Sequence, residues 1–285
     1  MKRFSEEHGY KPIKTVMQVD SMDADLRIGL WNGLAVYYFG ALNRSASSFN
    51  SAPGWLSELI IMLWIDFFKM PIDTISRTPA DVYGEIRKQF FSFAWYEVYD
   101  FIQFVATESK NKEVNGAFVT HCNQVLEHEV SAWRFVGKKI APITSKEEIV
   151  AIEEALGTTQ SLRPVAIHLN SAFDLMLDRK SPDYRNSIKE SISAVEAICT
   201  LLAGTEKADL TEALKVMKKK GIHVHPALEQ AFTKLYGYAS NADGIRHAML
   251  EEPDLHLEDA KFMLVVCAAF INYLKSKSSE IGIQL

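Results

Sequence analysis

At 285 residues the chain exceeds one typical domain of about 100 to 150 residues, so two domains are expected. A hydrophobic fraction of 48% beside 24% charged residues is that of an ordinary globular protein and excludes a disordered chain. The net charge of −5 argues against a protein coated in nucleic acid but leaves room for a local basic cleft.

Cys122, Cys199 and Cys267 are odd in number, widely spaced and set among apolar neighbours, which suits reduced thiols in a cytoplasmic protein rather than a disulfide frame. The polar start, Met1 to His8, lacks the apolar region of a signal peptide. The longest apolar run, Leu59 to Phe68, is interrupted by Asp66 and is too short to cross a bilayer, so no membrane is expected as a partner.

In chain order, Leu26, Leu30 and Leu34, with Trp31 and Tyr37-Tyr38-Phe39 beside them, predict a helix that ends in a Ser/Asn-rich loop at 43–53. Leu56, Leu59, Ile60, Leu63 and Phe67 predict a second helix. Ile61, Trp64, Ile65 and Phe68 fill its other face, so burial nearly all round is expected. Met70-Pro71 breaks it. Thr78-Pro79-Ala80-Asp81 opens a third, with Thr78 as capping oxygen, expected to run through Phe104. A shorter helix is expected over 117–129; His121, Cys122 and His128 lie on it without a fourth ligand at recognisable spacing, so no metal and no cofactor are expected.

The period then changes. Trp133 to Val136 and Ile140 to Ile143 predict two short strands joined by a Gly137-Lys138 turn, a hairpin too small to stand alone. Ser145 to Glu148 reads as a capping box, opening a helix that carries Ile149 and Ile152 and ends at Gly157. From Leu162 onward the pattern is helical throughout: Leu162 to Met176; Ile188 to Leu202, capped by Ser181-Pro182 and ended by Gly204; 209–217; Leu228 to Leu235; and Met263 to Leu274. The fold class expected is therefore mainly α, two helical domains joined by a short β-hairpin, the second an antiparallel bundle. Residues 1–125 form the aromatic-rich first domain, 126–158 a hairpin-and-helix connector, and 159–285 the bundle.

One passage, Tyr236 to Ala248, gathers Asn241, Asp243, Gly244, Arg246 and His247 into a short turn and helix. Histidine trades protons near neutral pH and arginine's planar fork fits phosphate oxygens, so His247 and Arg246 suit phosphodiester chemistry. The same pair also serves as a helix cap beside a solvated charge, and the residues alone allow both readings.

Two resemblances cover nearly the whole chain. Arg3-Phe4-Ser5, Gly9 to Pro12, Asp20-Ser21-Met22, Leu26 to Asn32 and Trp64 to Asp73 resemble an N-terminal domain of bacterial abortive-infection proteins of the J type. Pro182 to Ile192, Ala194 to Ala197 and Asp243 to Ala248 resemble a HEPN domain (higher eukaryotes and prokaryotes nucleotide-binding). The resemblance implies antiviral defence by a cytoplasmic homodimer whose HEPN-like bundle cleaves or binds RNA without metal, and a phage or host protein as trigger. It implies His247 as acid or base, Asn241 as the polar residue of the motif, and Arg246 or Arg185 on phosphate, with Glu196 orienting either and Asp243 in the same turn. Cleaving members place an arginine where this chain has Ser240. An interaction protein whose bundle only dimerises or binds nucleotide or RNA is thus the alternative.

Overall fold

The computed structural model describes residues 4, 8, 10, 14–40, 42, 52–157, 160–178, 181–205, 210–240, 255–283 and 285. The chain divides into two compact units, Met1–Thr144 and Ser145–Leu285. Among the described residues there are helices α1 (Ala24–Leu34), α2 (Gly54–Met62), α3 (Pro79–Ser92), α4 (Trp95–Glu108), α5 (Lys112–His128), α6 (Lys146–Leu156), α7 (Arg163–Leu177), α8 (Tyr184–Ala203), α9 (Leu210–Lys219), α10 (Pro226–Ser240) and α11 (Leu257–Glu280), with strands β1 (Arg134–Val136) and β2 (Lys139–Ala141). The chain is mainly helical, as its periodicity predicts.

In the first unit the Asp23 side chain accepts the Leu26 amide at 2.9 Å and starts α1, whose Leu26, Leu30 and Leu34 are buried. Beyond Leu34 the helix widens into a π turn over Ala35–Phe39, and α2 does the same over Leu63–Phe67. The wider turn takes in an extra residue, and neighbouring pairs, Tyr38 with Phe39 and Leu63 with Trp64, are buried together. The expectation of burial all round fails for α2: Ile61 and Ile65 are 39% and 46% exposed, four residues apart on one open stripe.

A single helix from Thr78 through Phe104 is also corrected. Phe93 and Ala94 are extended, and two helices result. Arg27 donates to the carbonyls of Phe90 and Phe93 at 3.3 and 2.7 Å, so α3's open end is satisfied from α1. Glu97 accepts the Ala94 amide at 2.6 Å and begins α4. Thr78 makes no capping bond; Ser76 accepts its amide and donates to Asp81 instead. The bend lets Phe101 sit at the centre of the core, with the rings of Phe67, Phe90 and Phe93 at 5.2, 5.8 and 5.7 Å. Helix α5 begins earlier than expected because Asn111 accepts the Val114 amide.

Strands β1 and β2 pair antiparallel, with Phe135 opposite Ile140, around the Gly137-Lys138 turn, where Gly137 has φ +60. Their outer edges are closed by side chains. Asn123 of α5 both accepts the Phe135 amide and donates to its carbonyl, and Gln103 of α4 accepts the Ile140 amide. The hairpin therefore leans on the first unit, whereas α6 packs in the second, so the two halves of the 126–158 segment go to different units.

In the second unit α8 lies against α7, α9, α10 and α11. Residues 175 with 183, 172 with 187 and 168 with 190 are hydrogen-bonded pairs, so α7 and α8 run antiparallel. The α8 cap is Asp183, which accepts the Asn186 amide at 2.9 Å, rather than Ser181. Gly204, at φ +66, ends α8 as expected, and Lys220 donates to the Leu202 carbonyl there. The helix α6, opened by the Ser145 hydroxyl, is tied to α11 by Asn272 on the Ala151 carbonyl and Lys275 on the Glu154 carbonyl.

Candidate functional site

Asn241, Asp243, Arg246 and His247 lie outside the described residues, which stop at Ser240, the last residue of α10, and resume at Leu255. Arg185 and Glu196 are both on α8, both partly exposed. Eleven residues separate them, about 16 Å of helix and only about 20° of rotation, so they share a flank at a distance their side chains do not span together. Glu196 therefore does not orient Arg185 directly. Arg185 stands in the first turn of α8, where no acidic side chain follows the cap. Its charge lies at the positive end of the helix, which the Asp183 carboxylate at the cap, still charged while it accepts from Asn186, partly offsets.

Glu196 lines a groove of about 400 Å3 between α7 and α8, with Pro164, His168, Ser193, Ala197, Thr200 and Leu201. On its wall the His168 ring bonds through Nδ1 to Glu190 Oε2 at 2.7 Å. A carboxylate on one ring nitrogen fixes the imidazole's orientation and leaves the other nitrogen for a ligand. Sequence reasoning missed this pair, because 22 residues separate its members and each sits alone in an ordinary amphipathic helix.

The histidines and thiol of α5 do not converge. Cys122 is fully buried, His121 lies against Gly33, and His128 bonds to Glu129 at the surface. Among the described residues no three His, Cys, Asp or Glu side chains are grouped to hold a metal. Burial raises all three thiols, Cys199 and Cys267 to about 12, so they are poor nucleophiles.

Compared with known families, residues 2–158 match the sequence model of AbiJ N-terminal domain 4. The chain belongs to that family. Searches of curated proteins and of solved structures find no match. AbiJ N-terminal domain 4 here takes in the whole first unit and continues through α6. Membership points to an abortive-infection, phage-defence protein. Among the described residues of this AbiJ-family chain no helix is long and apolar enough to cross a membrane.

Proposed function

We propose that this AbiJ-family protein acts in phage defence through its second unit, a HEPN-like bundle that forms a homodimer in the cytoplasm and cleaves RNA without metal. In this reading His247 assists attack of a ribose 2′-hydroxyl on the adjacent phosphate or protonates the leaving oxygen. Arg246 and Arg185 stabilise the phosphate's developing charge. Asn241 and Asp243 shape the turn that carries them. A phage or host component, met by the first unit, is the trigger. The observation that supports this most is Arg185 in the first turn of α8, a cation on the positive end of a helix in the same unit as the Asn241–His247 passage.

The test is incubation of the protein and its His247→Ala variant with RNA in EDTA. Cleavage by the parent, falling by about a hundredfold or more in the variant, is expected. Equal background products from both would discard the nuclease. Ser240, standing where cleaving HEPN proteins have arginine, favours a second reading, in which the bundle binds RNA or dimerises without cutting it. That reading expects RNA bound by a dimer, undegraded, with Arg185→Ala weakening binding.

A further inference from the structure

We infer that the outer face of α9, which carries Lys215, Lys218 and Lys219, is a docking surface for the phosphate backbone of single-stranded RNA. The inference deepens the RNA reading above and rests on it for the choice of RNA over an acidic peptide. Its residues are none of those in the Asn241–His247 passage.

Helix α9 turns its apolar residues inward: Leu210, Ala213, Leu214 and Met217 are buried. Lys215, Lys218 and Lys219 are exposed. Positions three and four apart are neighbours on a helix, about 5 to 6 Å between Cβ atoms, and these three lie within about 100° of its circumference. Among the described residues none of the three lysines is held by a hydrogen bond or an ion pair.

Lysines in the last turn of a helix ordinarily serve its negative end, and here that need is small. Backbone amides close the end: those of Lys220 and Ile222 donate to the Met217 carbonyl, and that of Gly221, at φ +92, donates to the Lys218 carbonyl. The dipole leaves about half an elementary charge, which one lysine more than offsets. Lys220 is engaged elsewhere, on the Leu202 carbonyl at the end of α8. No Asp or Glu stands between Glu212 and Glu229, so four lysines against those two flanking carboxylates leave two positive charges in a chain of net charge −5. At the end of α11, Ile281 lies 3.9 Å from where a Cβ on Gly221 would be, and the neighbouring Glu280 is paired with Lys277.

The shape of this charge selects the partner. Exposed ammonium groups hold a lone phosphate weakly, whereas a chain of phosphates engages several together and releases counterions from each contact. A membrane surface is also anionic, but a helix that lies on one inserts an apolar face, and the apolar face of α9 is buried. Lysine is a point charge without a planar fork, so the contact is to the backbone and is indifferent to base.

The experiment is anisotropy titration of the full chain with fluorescent 2′-O-methyl oligouridylate and oligoadenylate, which lack the free 2′-hydroxyl and so stay uncut, at several salt concentrations. The parent should bind both alike, with log affinity falling linearly against log salt. Lys215→Gln, Lys218→Gln and Lys219→Gln together should weaken both by about tenfold or more and flatten the salt slope by about 2, at roughly 0.7 for each lost contact. Lys215→Arg, Lys218→Arg and Lys219→Arg together keep the charges and should bind as the parent does; loss of binding in that set overturns the proposal. Lys88→Gln, Lys110→Gln and Lys112→Gln, exposed lysines of the first unit, remove the same charge and should leave affinity within about twofold. RNA bound equally by parent and α9 glutamine variant, or weakened as much by the first-unit set, removes the surface and leaves the RNA reading. No binding of either oligomer by the parent also removes the surface, and the RNA reading falls with it when unmodified RNA is neither bound nor cut. Capture of the parent by phosphatidylserine vesicles but not by RNA overturns the proposal and gives the lysines to a membrane.

Discussion

Lys14 shows how much of one residue's role is invisible along the chain. It pairs with Asp23 at 2.7 Å and with Glu129, which is 115 positions away. Burial opposes both charges, yet the mutual hydrogen bonds outweigh it: Lys14 is raised and Asp23 is held below the usual carboxylate range. Asp23's contribution is complete above its unfolded value of about 3.9 and is lost as pH falls through the depressed folded value. Lys14's is complete below about 10.4 and is lost as pH rises through the raised one. With the side chains 38% and 41% exposed, solvent screening holds the pair to about 1 kcal/mol or less. Asp23→Asn keeps a capping oxygen, so urea denaturation should show a loss of that size at pH 7, shrinking toward zero near pH 2. Asp23→Ala should cost about 1 kcal/mol more, because the cap goes as well. Local signals such as Ser145 and Gly204 were legible in the sequence because cap and helix are adjacent there. The Lys14–Glu129 and His168–Glu190 pairs were not, since nothing local marks either partner.

At the scale of elements, periodicity located most helices but not their contacts. The bend at Phe93 carries no glycine or proline; it exists because Arg27, on another helix, satisfies the freed carbonyls. The Gly29 and Gly33 pair of α1 is a second case. A Cβ on Gly29 would lie 2.6 Å from Val125 Cγ1, and one on Gly33 2.6 Å from His121 Cδ2, so these glycines let α1 and α5 approach closely. Gly29→Ala gains about 1 kcal/mol of helix propensity but meets a stiff β-branched neighbour, an overpacking cost of about 1 to 3 kcal/mol. The net expectation is a loss of up to about 2 kcal/mol, relieved when Val125→Ala is added, so a double-mutant cycle should show positive coupling. Gly84→Ala, whose added Cβ would meet nothing within 4 Å beyond its chain neighbours and its own helix backbone, is the control and should stabilise α3.

For the whole molecule, two helical domains follow from length and pattern, whereas the ownership of residues 145–157 is decided by packing. The family match runs to residue 158, but α6 buries Ile149, Ile152 and Ala155 in the second unit and is anchored there by Lys261 on Glu148, Asn272 and Lys275. Withdrawing α6 re-exposes two isoleucines, roughly 3 to 6 kcal/mol, against a typical domain stability of about 5 to 15 kcal/mol. It also strips partners from Asn272 and Lys275, both on α11. A fragment of residues 145–285 should therefore melt cooperatively with full helical ellipticity, and one of residues 159–285 should melt far lower or aggregate. The converse holds for the other half: residues 1–158 carry the apolar face of α6 without its cover, so they should bind a hydrophobic dye more strongly than residues 1–144 do. Equal melting of the two C-terminal fragments would mean that α6 is a linker rather than part of the bundle.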